Sequence, residues 1–179
     1  INIFKYDQRN KLVKSYIKFI KLVNPESIIF ENVYGFTVHF KEKKGTKHYS
    51  SYIESALKRL GYRTAYQIID MSEYGIPQNR KRFILVAMKS HDPKRVFSIL
   101  NKNRENFCRL KGISCATTVC EAISDLEKSH GTFHSPDTKG FYAGVYGEIE
   151  SGYQKLMRQN QTRSGSVVDS HRFVNHSER

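Results

Sequence analysis

The sequence has no long apolar run. Its longest, Phe83 to Met88, falls far short of the roughly 18 residues that a membrane-spanning helix needs. The stretch from Ile1 to Lys21 is broken by charges throughout, so it is not expected to act as a secretory leader. Cysteine is scarce: Cys108, Cys115 and Cys120 form an odd set without a Cys-x-x-Cys pair. That argues against a disulfide framework and a zinc knuckle, and fits a reducing, intracellular setting. His171 and His176 stand five residues apart with no cysteine or acid cluster nearby, so they are expected in loops or on a partner-facing surface, and no metal is expected. Acidic residues are also in short supply, 17 Asp and Glu facing 30 Lys and Arg in 179 residues, for a formal net charge of +13. An excess of that size points to a polyanion partner.

What is present can build a core. Hydrophobic residues make up 39% of the chain and aromatics 12%, so the high charge does not imply disorder. The length fits one domain, or one domain with an appendage, and a first residue of Ile rather than Met suggests a fragment or a processed piece. From Lys11 to Val23, apolar Leu12, Val13, Tyr16, Ile17, Ile20 and Val23 share one face and lysines 11, 14, 18 and 21 the other. This predicts an amphipathic helix stopped by Asn24-Pro25. The short run Ile28-Ile29-Phe30 predicts a strand buried on both faces of a parallel sheet, ending in Glu31-Asn32. After a basic loop around Lys41 to Lys47, Ser51-x-x-Glu54 predicts a capping box opening a second helix that Gly61 would end.

Strands are then predicted over Tyr62 to Asp70 and Arg80 to Met88, joined by a loop from Met71 to Asn79. Helix, strand, helix, strand implies an α/β unit of the doubly wound kind. Lys89 to Leu110 reads as helical, and Thr118 to Lys128 as a further helix. From Ser129 to Arg179, loops are expected with one short helix near Tyr153 to Arg158.

Two segments could carry chemistry. The first is Phe30-Glu31-Asn32-Val33-Tyr34-Gly35-Phe36. Ligands of open α/β sheets bind beyond the carboxyl ends of strands, and a shielded Glu31 there could donate a proton near neutral pH. Read alone, Glu31 could equally cap a loop or pair with a lysine. The second is Tyr74-Gly75-Ile76-Pro77-Gln78-Asn79-Arg80-Lys81-Arg82-Phe83. Strand alternation would put Gln78, Arg80 and Arg82 on one side, where they could hydrogen-bond a phosphate, a base edge or a carboxylate. Read alone, this too could be a solvated strand end.

Together and in this order, the Glu31-Asn32-Val33 and Gln78-x-Arg80-x-Arg82 segments resemble two ordered motifs of the C5 cytosine methyltransferase family. Asp7-x-Arg9 with the helix after it, Thr118 to Leu126, and Tyr153 to Arg158 are similar to flanking stretches of that family. The resemblance covers most of Asp7 to His176. It implies a partial Rossmann-like, S-adenosylmethionine-dependent methyltransferase domain over residues 1–128, and the start of a target recognition region over 129–179. It further implies an enzyme of the restriction-modification kind that flips a cytosine from duplex DNA and methylates its C5 after thiolate attack at C6. By the same resemblance, Glu31 would hold or protonate the cytosine ring at N3, Asn32 would orient that turn, and Arg82 would contact the flipped base. Arg80 would lie nearer the DNA backbone, and Gln78 would brace the loop.

The family's Pro-Cys nucleophile and its Phe-x-Gly-x-Gly cofactor loop are not found, since no proline precedes a cysteine and no two glycines are spaced Gly-x-Gly. The chain is therefore expected to be an interior piece, with the S-adenosylmethionine pocket mostly outside it, inactive until joined by the missing upstream portion or a complementary subunit. The three cysteines are expected to be buried or surface small residues. Two alternatives stand: a tRNA cytosine-5-methyltransferase, disfavoured by the wording of Gln78-x-Arg80-x-Arg82, and a non-catalytic nucleic-acid-binding remnant of the fold. The expected location is the cytoplasm, at the nucleoid, for a bacterial chain and the nucleus for a eukaryotic one. A sheet lacking its first strands would leave an edge open and favour dimerisation or poor solubility.

Overall fold

In the computed structural model the described residues are 9–38, 40–42, 45–47, 49–159, 165 and 167–174. Asp7 and His176 lie outside them. The chain divides into two compact units, one formed by residues 1–70 and 80–103, the other by 71–79 and 104–179.

The first unit opens with α1 (Arg9–Val23), which buries Val13 and Ile20 and half-buries Tyr16 and Ile17. Leu12 and Val23, expected on the same face, are exposed. Asn24 ends the helix by turning left-handed, φ 50°, while its amide donates to Ile20 O at 2.7 Å. Asparagine tolerates that conformation, and Pro25 cannot continue a helix.

Strands β1 (Ser27–Val33), β4 (Arg63–Asp70) and β5 (Lys81–Met88) make a sheet in the order β1-β5-β4. Both pairings with β5 are antiparallel, so β1 and β4 run parallel to each other without touching. The parallel relation expected of a doubly wound unit holds for β1 and β4, but the return strand β5 has taken the place between them. The expectation that β1 is buried on both faces fails: Ile29 is 72% exposed and Val33 54%. The face of β1 that carries Ile29, Glu31 and Val33 turns to solvent, where a doubly wound sheet would have a second layer of helices. Between β1 and the second helix, β2 (Phe40–Glu42) and β3 (Gly45–Lys47) form a hairpin where only a basic loop was expected.

Helix α2 (Tyr49–Arg59) begins before Ser51, so the expected capping box is not formed. Glu54 instead accepts from Thr64 Oγ1 at 3.1 Å and pairs with Lys58 at 2.8 Å. Gly61 does end the helix. With φ 85° it lets its own amide reach Lys58 O and that of Tyr62 reach Leu57 O, the double bond of a Schellman turn. Helices α1 and α2 contribute Val13, Ile20, Ile53 and Leu57 to a core shared with Ile28, Phe36, Tyr62, Phe83, Leu85 and Ala87. Each such buried aliphatic or aromatic side chain stabilises the fold by roughly 1.5–3 kcal/mol. On the other sheet face, α3 (Lys94–Lys111) lies over β4, where Asn101 Nδ2 donates to Gln67 Oε1.

The second unit contains α4 (Val119–Ile123), α5 (Gly152–Met157) and a small antiparallel sheet, β6 (Thr132–His134), β7 (Tyr142–Val145) and β8 (Val167–Arg172), in that order. α5 matches the short helix expected near Tyr153. The three strands were expected as loops, because segments of three to six residues carry too little alternation to read. α4 is shorter than the helix expected over Thr118 to Lys128; it breaks into a 3-10 turn at Ser124. A capping box does open it: Thr118 Oγ1 accepts from the Glu121 amide at 3.1 Å and the Glu121 carboxylate accepts from the Thr118 amide at 2.7 Å. In this unit Asp125 and Arg158 pair at 3.1 Å with both side chains 4% exposed, and Arg158 Nη1 also donates to Gly147 O. Its guanidinium lies over the Tyr146 ring at 4.3 Å.

Candidate active site around Glu31 and Arg82

Alternation sorts the signature residues of β1 to opposite faces. Phe30 and Asn32 share the core side with Ile28, while Glu31 shares the open side with Ile29 and Val33. In the β1–β5 register Val33 faces Arg82 and Glu31 faces Ile84. Glu31 and Arg82 are thus diagonal neighbours on one face, within reach for long side chains. Arg82 Nε lies 2.7 Å from Glu31 Oε1, with the arginine side chain 15% exposed and the glutamate 54%. Arg82 Nη1 also donates to the Lys81 carbonyl at 3.0 Å, which fixes the guanidinium plane. The arginine is thereby held as a shielded fork, and the carboxylate it grips opens to solvent at the end of the sheet. Such a pair can present an acid and a cation together to a polar ring or a phosphate.

The other predicted residues fall elsewhere. Arg80 precedes β5 and is exposed. Gln78 is exposed in the second unit, in a turn whose amide reaches back to Ile76 O at 2.7 Å, so it does not belong to the strand alternation expected of it. Asn32 accepts from the Val33 amide at 2.9 Å and lines a cavity of about 520 Å³ with Leu12, Val13, Tyr16, Phe30, Phe36 and Tyr49. The carbonyl bond ties Asn32 to its own strand end. The aromatic cavity was not foreseen from the sequence, since its walls come from four separate elements.

That cavity offers no carboxylate for ribose hydroxyls and no cation for an amino-acid carboxylate. It does not by itself fit S-adenosylmethionine. Nor do the described residues include a group of three or more His, Cys, Asp or Glu placed to hold a metal ion. Cys108 is buried, Cys115 partly so and Cys120 exposed. Burial, with Cys115 beside it, pushes the Cys108 thiol up to about 11, the opposite of what an attacking thiolate needs. No described helix is long and apolar enough to cross a membrane.

Comparison with known proteins agrees with the two signatures. The chain is 26% identical to the type II methyltransferase M.DdeI of Desulfomicrobium norvegicum over 182 residues, which cover 97% of this chain and 38% of that protein. It is 32% identical to the type II methyltransferase M.AgeI of Thalassovita gelatinovora over 168 residues, covering 87% and 37%. Over a shorter stretch of 89 residues it is 35% identical to the type II methyltransferase M.XorII of Xanthomonas oryzae pv. oryzae, covering 49% and 20%. The chain thus spans well under half the length of these relatives. The family model described as C-5 cytosine-specific DNA methylase matches residues 4–177. Both signatures and the sheet that pairs them fall inside that span, and the chain belongs to the C-5 cytosine-specific DNA methylase family.

Proposed function

We propose that this chain supplies the base-holding part of a DNA (cytosine-5)-methyltransferase of the restriction-modification kind, and that it acts on duplex DNA. The observation that carries this reading is the Arg82–Glu31 pair, an arginine fork and a solvent-facing carboxylate brought together at 2.7 Å from strands distant in sequence. A flipped cytosine presents N3 and its exocyclic amine to a carboxyl group, and its O2 acceptor to an arginine. In this reading Glu31 hydrogen-bonds or protonates N3, which draws electrons from the ring and makes C6 open to attack. Arg82 holds Glu31 in place and contacts the base, Arg80 meets the DNA backbone, and Gln78 and Asn32 support the turns on either side. The net charge of +13 favours the phosphates and makes binding steeply salt-dependent.

The attacking thiol and the S-adenosylmethionine pocket come, in this proposal, from a complementary polypeptide segment. S-adenosylmethionine, when bound there, donates the methyl group that ends on C5. The outer edge of β1, which pairs with no other strand among the described residues, supports such a union, because an added strand would hydrogen-bond along that edge and extend the sheet. Residues 129–179 are proposed as the beginning of target recognition, and the cytoplasm as the place of action. The test combines this chain with a segment carrying the Pro-Cys and Phe-x-Gly-x-Gly motifs and measures 5-methylcytosine in duplex DNA and in tRNA. Methylation of duplex DNA is expected; methylation of tRNA alone, or of neither, overturns the reading.

A further inference from the structure

The segment 71–80 joins β4 to β5, whose register closes at Asp70 and Lys81. Hairpin loops that hold themselves in shape are shorter, roughly two to five residues. A loop of this length needs outside support if it is to present one conformation. Within the second unit that support is visible. Arg104, in the later half of α3, pairs with Glu73 at 2.8 Å and places its guanidinium over the Tyr74 ring at 5.9 Å. Tyr74 is partly buried, and burial raises its hydroxyl pKa against the opposing pull of Arg104. One residue on, the Gly75 amide donates to Cys115 O at 2.9 Å, while the Cys115 thiol donates to the Arg104 carbonyl at 3.8 Å. Three consecutive loop residues are therefore fastened to one turn of α3 and the segment behind it.

We infer that Arg104 is a positioning residue for the methylation reaction, fixing the loop Met71–Asn79 so that Gln78 is delivered in a single conformation. The inference rests on the proposed cytosine methyltransferase reading. Arg104 touches neither Glu31 nor the base in this scheme; it acts through Glu73 and Tyr74. Its side chain is 33% exposed and that of Glu73 59%, so the pair is a largely solvent-exposed one, and its loss changes the loop equilibrium by at most about fivefold.

Two measurements test this. Amide hydrogen exchange over residues 72–78 is followed in the chain itself and in Arg104→Ala, Arg104→Lys and Glu73→Gln, with circular dichroism to check that each is folded. Arg104→Ala and Glu73→Gln are expected to exchange about fivefold faster there. The double variant should be no faster than either single one, and Arg104→Lys should recover part of the protection. Unchanged exchange, or additive effects, overturns the brace. If Arg104→Ala fails to fold, Glu73→Gln and Arg104→Lys carry the same comparison.

The second measurement uses the chain combined with its complementary segment. Arg104→Ala should raise KM for duplex DNA about fivefold with kcat unchanged, and should add nothing in a Gln78→Ala background. An equal effect in both backgrounds overturns the link to Gln78. A wild-type combination that makes no 5-methylcytosine would refute the methyltransferase reading, while the exchange experiment would still decide whether Arg104 orders the loop.

Discussion

Glu31 and Arg82 stand on neighbouring strands, 51 positions apart in the chain, yet the antiparallel register of β1 and β5 brings Oε1 and Nε to 2.7 Å. The pairing follows from topology. β5 returns between β1 and β4, so the entry of β5 lies beside the exit of β1, and Arg82 meets Glu31 at that end of the sheet. A one-residue slip would send Arg82 to the core face and separate the two groups.

Gly75 and Gly61 both have positive φ, 78° and 85°, but they differ in their surroundings. A Cβ on Gly75 would lie 2.6 Å from Ile113 Cδ1 and 3.1 Å from Ser114 O, whereas one on Gly61 meets nothing within 4 Å. Gly61→Ala is expected to cost about 1–2 kcal/mol from backbone strain alone. Gly75→Ala should cost more, about 2–4 kcal/mol, because the loop must also lift from the segment behind it. Urea denaturation of the two variants gives the comparison.

Asp125 and Arg158 form a pair in which each side chain is only 4% exposed. Removing one partner leaves a buried charge. Asp125→Ala is expected to destabilise by about 3–5 kcal/mol, and replacing both by apolar residues of similar volume should recover much of the loss. Thermal unfolding of the single and double variants checks this.

Hydrogen bonds from the amide and hydroxyl of Thr118 lower the pKa of Glu121 below its ordinary value. A carboxylate lowered in the folded state contributes stability above its unfolded pKa of about 4.3, and that contribution is lost as pH falls through the folded value. Thr118→Ala removes the hydroxyl bond while keeping the amide one, and should therefore lower stability near neutral pH, with a smaller difference from wild type at pH 3. A pH series of urea midpoints reads the difference.

The sequence disclosed more of the first unit than of the second. Helix α1, its stop at Asn24, Gly61 and the two signature segments were legible because each has a strong local cause: amphipathic spacing, a proline, a glycine, a run of paired polar side chains. The place of β5 between β1 and β4 was not, since strand order is decided by long-range pairing that no local pattern encodes. Ser51 and Glu54 mimicked a capping box in the interior of α2, while the box that forms, at Thr118 and Glu121, opens a helix shorter than the one expected there. Strands β6 to β8 were too short to read. At the candidate site, Glu31 and Arg82 could be named from their segments, but their contact could not be derived without the register, and Arg104 belongs to no motif at all.

The most direct test of the account is the rate of 5-methylcytosine formation by the chain joined to its complementary segment, compared with the same assembly carrying Glu31→Gln. Glutamine keeps the shape of Glu31 but cannot donate a carboxylic proton. The account predicts that kcat falls by about a hundredfold or more while duplex binding is retained. An unchanged product level with Glu31→Gln would contradict it.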